Sequence, residues 1–346
     1  MPTDTGMIAA DRGPQRGRRR LPFIGPLVVV AFVSGACSSV LLAEGEGGQE
    51  EGVVQAVSLP GAGNPLAGVI WDVAAGQPVS AEVLAARLQG ADVAILGEIH
   101  DNALHHERQA EMVAAIAPSG LAFEMVPEAS ERGIAVFLET GGEPGAIGPA
   151  IGWERMGWPD WSIYRPIFDA AFEDDAAPVI TGGALPRASL GLAMREGAAT
   201  AYGDGAVAAG LDRPLSALMQ AQMTAEMIRA HCDLIPAEAA APMVEVQRLR
   251  DARFAAAVLR ARDRAPAGPT VLITGNGHAR TDRGVPAFLD TMAPALSVLS
   301  LGQVEVTGDA DSAGDYADQL ALYDFVWFST GVPGRGDPCD ALRQRG

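Results

Sequence analysis

The chain contains no lysine; all 25 of its basic residues are arginine. That absence excludes a Schiff-base lysine, the lysine of a phosphate-binding Walker loop and the lysine of a protein kinase. Abundant alanine, glycine and arginine beside it point to a biased genomic base composition. Aromatic residues are scarce at 5%, and there are five histidines and three cysteines in 346 residues. No Cys-x-x-Cys pair occurs, which removes a thiolate metal site. Neither Gly-x-Ser-x-Gly nor His-Glu-x-x-His is present, so a serine hydrolase elbow and a zincin-type peptidase lose support. Basic charge is also short: the net charge is −18, and nucleic acid is excluded as the main partner because phosphate contacts need a basic face. Disorder is excluded as well, since 48% of the residues are apolar. The length suits one large domain or two small ones.

The basic residues that do occur are unevenly placed. Arg18-Arg19-Arg20 precede LPFIGPLVVVAFVSGA (21–36) and Cys37. A basic start, a short apolar core and small residues before a cut make a secretory leader. The apolar run has 16 residues and carries Pro22 and Pro26, whereas a spanning helix needs about 20. Residues 1–36 are therefore expected to be a signal peptide. Ser34-Gly35-Ala36-Cys37 resembles a bacterial lipobox, which implies lipidation of Cys37 and attachment to a membrane surface without a spanning helix. The expected location is the cell envelope, on a bacterial membrane facing the periplasm. Residues 37–65 read as a flexible tether. Residues 331–346, rich in Gly and Pro, read as a disordered tail. An exported protein could oxidise its cysteines, but Cys232 ends an apolar helix pattern and reads as a packed thiol, with Cys339 in the polar tail.

From about residue 68 short apolar runs alternate with helical patterns. Strands are expected at 92–96, 120–126, 178–181, 270–274, 297–301 and 325–328. Helices are expected at 80–89, 103–117, 128–138, 163–175, 187–198, 214–232, 237–264 and 285–292. This alternation predicts an α/β fold with a mostly parallel central sheet and helices on both faces. The stretch of about 187–265 has no strand pattern and reads as a helical insertion within a domain spanning 66–330. Met219, Met223 and Met227 recur at spacing four within it; core packing accounts for such a stripe, and a soft wall for a large apolar ligand is the functional reading.

One internal echo carries chemistry. Asp92-Val-Ala-Ile-Leu-Gly-Glu-Ile-His100 resembles Thr270-Val-Leu-Ile-Thr-Gly-Asn-Gly-His278. Each is a buried strand followed by Gly-x-x-His. Ligands of open parallel sheets bind beyond the carboxyl ends of the strands, so His100 and His278 are expected in one crevice there. Glu124, in the apolar strand LAFEM, and Glu98, inside the first motif, need partners because an unpaired buried carboxylate is costly. His100, His278, Glu98 and Glu124 would form a nitrogen- and oxygen-rich site for a divalent metal such as Mn, Zn or Co. His106, with Glu107 and Gln109, would support a ligand of that site. Trp153, Trp158, Trp161 and Tyr164 fall within twelve residues and are followed by Arg165. They read either as a hydrophobic latch or as a flat wall for a planar ligand. Arg165 and Arg187 could each pair with a ligand carboxylate.

Five segments together carry a family resemblance: GEIHDNALHHERQ (97–109), LAFEM (121–125), WPDWSIYRPI (158–167), VITGGALPR (179–187) and ITGNGHARTDRGVP (273–286). They resemble the ChaN-like haem-binding lipoproteins, within the wider Tiki/TraB-like and erythromycin-esterase-like superfamily. The resemblance implies an α/β fold with a helical subdomain and haem binding in iron or haem acquisition. It also implies haem near a homodimer interface and a tyrosine-type axial ligand, for which Tyr164, Tyr202, Tyr316 and Tyr323 are the candidates and Tyr164, in the aromatic wall, is preferred. Trp158, Trp161, Arg165 and His106 complete the expected haem site. The expected role is non-catalytic. The alternative is a divalent-metal-dependent hydrolase or peptidase using the two Gly-x-x-His motifs, with Glu98 or Glu124 as general base.

Overall fold

A computed structural model describes residues 59–173 and 177–343. The leader, Cys37 and the tether up to residue 58 lie outside the described residues. Among the described residues no helix is long and apolar enough to cross a membrane.

The strands are β1 (Ile70–Asp72), β2 (Gln77–Val79), β3 (Val93–Glu98), β4 (Gly120–Pro127), β5 (Val179–Ala184), β6 (Thr270–Gly275), β7 (Val298–Glu305) and β8 (Phe325–Ser329). They form one sheet in the order β2-β1-β8-β7-β3-β6-β4-β5. Every pairing from β8 to β5 is parallel; only the β1–β2 hairpin and its pairing with β8 are antiparallel. The fold is therefore a mixed α/β sheet, mostly parallel, as its sequence pattern implies. β1 and β2 were not expected. At three residues each they are too short to show a two-residue period, and β2 is largely exposed.

The early helices are α1 (Ala81–Gln89), α2 (Ala103–Ile116), α3 (Glu131–Glu139), α4 (Ile147–Ile151) and α5 (Trp161–Ala171). The stretch between β5 and β6 supplies α6 (Arg187–Glu196), α7 (Ala198–Tyr202), α8 (Ala217–Ala230) and α9 (Ala237–Arg264). The remainder are α10 (Asn276–Ala279), α11 (Val285–Met292), α12 (Ala317–Leu320) and α13 (Pro338–Arg343). Successive strand side chains point to opposite faces, and both faces are covered. Ala94, Leu96, Phe123 and Ile273 pack with Leu84, Met112 and Phe168 of α1, α2 and α5. Val93, Ile95, Ala122 and Leu272 pack with Phe254, Val258 and Leu289 of α9 and α11. A strand buried on both faces must be apolar throughout, which is why β3 and β6 read as unbroken apolar runs.

Two expectations for the ends of the domain are corrected. Residues 59–65, placed in the tether, form turns tied to the fold: the Asn64 amide donates to Ala310 O at 2.7 Å. The tail is held too. Cys339 is joined to Cys232 by a disulfide across 107 residues, so Cys232 is a half-cystine and not a packed thiol. The Arg335 guanidinium donates to Asp101 and, at 2.6 Å, to Glu305. Covalent and ionic contacts order a segment whose composition alone reads as loose.

Candidate functional site at the carboxyl edge of the sheet

The strand echo places its two histidines at neighbouring strand ends. β3 and β6 are adjacent and parallel, with Gly97 opposite Thr274 and Glu98 opposite Gly275. The motifs are thus offset by one residue across the pair. Because side chains alternate, that offset sends the two halves of the site to opposite faces of the sheet.

On the α2/α5 face Glu98 is fully buried. His100 Nδ1 lies 2.7 Å from Glu98 Oε1, and the Tyr164 hydroxyl donates to the same oxygen at 2.9 Å. A carboxylate accepts, so His100 Nδ1 carries a proton and Nε2 is left with the lone pair. Nε2 has no hydrogen-bond partner among the described residues, and the side chain is 35% exposed. His106 Nε2 must donate to the His100 carbonyl at 3.1 Å, since a carbonyl only accepts. Its Nδ1 then faces Glu98 Oε2 at 3.4 Å, and neither atom has a hydrogen-bond partner. One proton between them would satisfy both. Burial disfavours protonation of His106 and holds its pKa below the ordinary value. For His100 burial acts the same way, but the Glu98 hydrogen bond and the charges of Glu124 and Glu98 outweigh it and raise the pKa. Neighbouring His105 is a structural imidazole. It accepts from Ile99 N at 2.9 Å and meets Ser329 Oγ at 2.7 Å, and burial together with the Arg108 charge brings its pKa down to about 3.

On the α9 face Glu124 accepts from the Thr274 hydroxyl at 2.7 Å and from Gly275 N at 2.9 Å. His278 Nε2 lies 3.5 Å from its other oxygen. His278 Nδ1 lies 2.6 Å from Asp251 Oδ1 and 3.0 Å from the Gln247 amide nitrogen, both on α9. Burial would push Glu124 up, but the two imidazoles and its donors hold its pKa below the ordinary carboxylate value. Asp251 goes the other way: burial raises it to about 6 despite the charge of His278. His278 loses by burial and gains more from Glu124 and Asp251, so its pKa is raised.

Gly275 joins the halves. A Cβ there would lie 3.0 Å from His100 Nε2 and 3.6 Å from Glu124 Oε2. The imidazole rests on the bare backbone of β6, a close approach that only glycine permits. His100, His278, Glu98 and Glu124 therefore share one edge but do not surround one point. Among the described residues no group of three or more His, Cys, Asp or Glu is placed to hold a metal ion. The expected four-ligand metal centre is replaced by two hydrogen-bonded networks, because the one-residue offset separates the two carboxylates.

A cavity of about 380 Å³ opens beside Glu124, lined by Met125, Met156, Trp158, Arg187, Arg250 and Phe254 among others. Trp158 also packs on His100, with ring centroids 5.0 Å apart. The other expected haem residues lie elsewhere. Tyr164 is fully buried, and burial and Glu98 push its phenol far above the ordinary value, holding it protonated. Trp153 and Trp161 are core residues whose indoles donate to Pro159 O and Gly145 O. Arg165, next to Tyr164 on α5, is exposed and pairs with Asp169 at 3.0 Å. Adjacent helix positions diverge by about 100°, so Tyr164 and Arg165 cannot serve one ligand. The Met219 and Met223 side chains line a different cavity. Asp251, Gln247, Arg250 and Phe254 were missed. The signal for Asp251 is an acid within the buried stripe Val244, Arg248, Ala252, Ala255 of α9.

Strand-end Gly-x-x-His motifs on a mostly parallel sheet, with a helical insertion whose longest helix, α9, covers one face, define the α/β fold of this chain. The chain belongs to the family described as "Haem-binding uptake, Tiki superfamily, ChaN", whose model matches residues 84–289. No curated protein matches it by sequence. Among solved structures it is similar to ChaN of Campylobacter jejuni, described as showing cofacial heme binding, with 19% identity and a TM-score of 0.57 over 75% of this chain and 95% of that one. The type III effector HopBA1 aligns at 13% identity and TM-score 0.40, covering 80% of this chain and 99% of that one. A mutant of the erythromycin esterase EreC in its open conformation aligns at 11% identity and TM-score 0.40, covering 74% of this chain and 95% of that one.

Proposed function

We propose that this protein binds haem at the carboxyl edge of its sheet, as a non-catalytic carrier in haem or iron acquisition. The observation that carries the reading is His100. Its Nδ1 is pinned by buried Glu98, its Nε2 has no partner among the described residues, and Trp158, which packs on its ring, lines the cavity of about 380 Å³. The site is also of the right kind for haem. Haem is flat and largely apolar, with two propionates and an iron that takes nitrogen or oxygen axial ligands. Trp158, Met125, Met156 and Phe254 supply apolar walls. Arg187 and Arg250 face the same cavity and make no ion pair among the described residues, which suits carboxylates. The cavity volume is within the roughly 300–1,000 Å³ of ligand pockets, and a second opening of about 700 Å³ adjoins it at Pro127, Leu185 and Pro186. Family membership and the fold shared with a haem-binding ChaN support the same assignment.

In this reading His100, and not the buried Tyr164, would hold the haem iron. Tyr164 and His106 then fix Glu98, and through it the imidazole. Haemin titrated into the protein should give a saturable Soret shift that His100→Ala abolishes and Tyr164→Phe only weakens. Retention of the full shift in His100→Ala, with its loss in Tyr164→Phe, would return the axial role to the tyrosine. We further propose that the protein is exported and lipid-anchored through Cys37. The disulfide supports this, because such bonds persist in oxidising compartments.

A further inference from the structure

A second cavity, of about 240 Å³, lies between α8, α11 and the loop that precedes α8. Its apolar lining includes Leu215, Met219, Met223 and Phe288. Arg213, Arg248, Arg283 and Asp282 also reach it. The charges do not balance. Arg248 is matched by Glu245 at 3.0 Å, Arg283 by Glu226, and Asp282 by Arg280 at 2.7 Å. Arg213 alone has no counter-charge: its guanidinium makes no hydrogen bond or ion pair among the described residues. Its position is nonetheless built, because buried Arg248 donates to the Arg213 carbonyl at 2.7 Å and to the Leu211 carbonyl at 3.4 Å. Close in sequence to its lining, Val207 and Leu218 are, at 70% exposed, the most exposed large hydrophobic residues among the described ones. Val207 belongs to the turn closed by Gly210 N onto its carbonyl, and Leu218 precedes Met219 on α8.

We propose that this cavity binds a single-chain carboxylate with an alkyl tail, such as a medium-chain fatty acid. One unmatched cation calls for one negative charge, at Arg213, which lines the cavity and is exposed to solvent. The thioethers and the Phe288 ring offer an adaptable apolar interior for the chain. At about 240 Å³ the cavity is smaller than most drug-sized pockets, so it takes the tail of a short amphiphile. None of its lining residues belongs to the His100 site, and the inference stands apart from haem binding.

Isothermal titration calorimetry of the full chain with decanoate, below its micelle concentration, tests the assignment. Decanoate should bind saturably, and acetate should not bind at the same concentrations. Arg213→Glu and Met219→Glu should each weaken decanoate at least tenfold, while His100→Ala leaves it unchanged and haemin does not compete. Arg213→Glu keeps the carbonyl that Arg248 uses, so it tests the charge without removing that support. Absence of saturable decanoate binding would overturn the proposal, as would unchanged binding in both variants or competition by haemin. Binding to anionic phosphatidylglycerol vesicles without binding to free decanoate would also overturn it, since the surface would then be a membrane contact.

Discussion

His100 owes its chemistry to two neighbours, Glu98 and Gly275. Glu98 sets which nitrogen carries the proton, and Gly275 leaves room for the ring. Replacing Glu98 by Gln should therefore weaken haem binding without unfolding the protein, since a neutral amide still meets Nδ1 but no longer favours the same tautomer. The glycines separate the two kinds of effect. Gly275→Ala places a methyl 3.0 Å from Nε2; the imidazole must move, and haemin affinity should fall at least about tenfold, or 1.4 kcal/mol, at nearly unchanged stability. Gly97→Ala instead drives a methyl into Asn276 Oδ1 and within 2.8 Å of the Leu301 carbonyl. Backbone cannot yield as a ring can, so this variant should lose about 1–3 kcal/mol of stability, read by chemical denaturation. If His100 holds the haem iron as proposed, protons compete with it for the Nε2 lone pair. The His100 pKa is held above 6.5, so haem affinity should rise with pH through a midpoint above that value. A Soret titration repeated across the range checks this, and a flat profile would argue against an imidazole ligand.

Among the elements, the repeated strand-and-turn unit decides where chemistry can occur. Both copies carry a glycine at the carboxyl edge, Gly97 and Gly275, and each delivers a histidine to its own face. The long helix α9 then supplies Asp251 and Gln247 to one histidine, while α2 and α5 supply His106 and Tyr164 to the other. The insertion and the tail are linked by the disulfide from Cys232, just after α8, to Cys339 in α13. Closing a loop of this length restricts the unfolded chain, and its removal should cost about 2–5 kcal/mol. Cys339→Ser, or reduction of the native protein, should lower the melting temperature accordingly, measured by calorimetry. The same variant should retain the Soret shift, because none of the residues lining the proposed haem cavity lies in the tail.

At the scale of the whole molecule, buried ionisable groups make stability depend on pH. His278 has a folded pKa raised above 6.5, so its contribution is complete below about that pH and is lost as pH rises through the folded value. Asp251 acts in the same direction over a lower window: its pKa is raised by burial to about 6, so its contribution is lost as pH rises from the ordinary carboxylate range through about 6, leaving the alkaline decline to His278. Melting temperature should therefore decline on the alkaline side, and His278→Gln should flatten that decline. Under the proposed anchor, intact mass after membrane extraction should match a lipidated polypeptide beginning at Cys37; an unmodified thiol or another start would refute it.

The sequence alone determined the parallel core, because a strand covered on both faces must be apolar at every position and an intervening helix must show its own period. It also determined which residues reach the carboxyl edge, since a strand followed by Gly-x-x-His ends there whatever its neighbours are. Only the tertiary structure decided what those residues do together. Whether two equivalent motifs converge or diverge depends on the register between β3 and β6, and a shift of one residue reverses the face of every side chain. That shift turned an apparent four-ligand metal centre into two networks that meet at Gly275. It also decided the aromatic segment: pattern placed Trp158, Trp161 and Tyr164 in one wall, but packing sent Trp161 and Tyr164 into the core and left Trp158 against His100. Burial of a ring is settled by which helix covers it, and the chain supplies that partner only when folded.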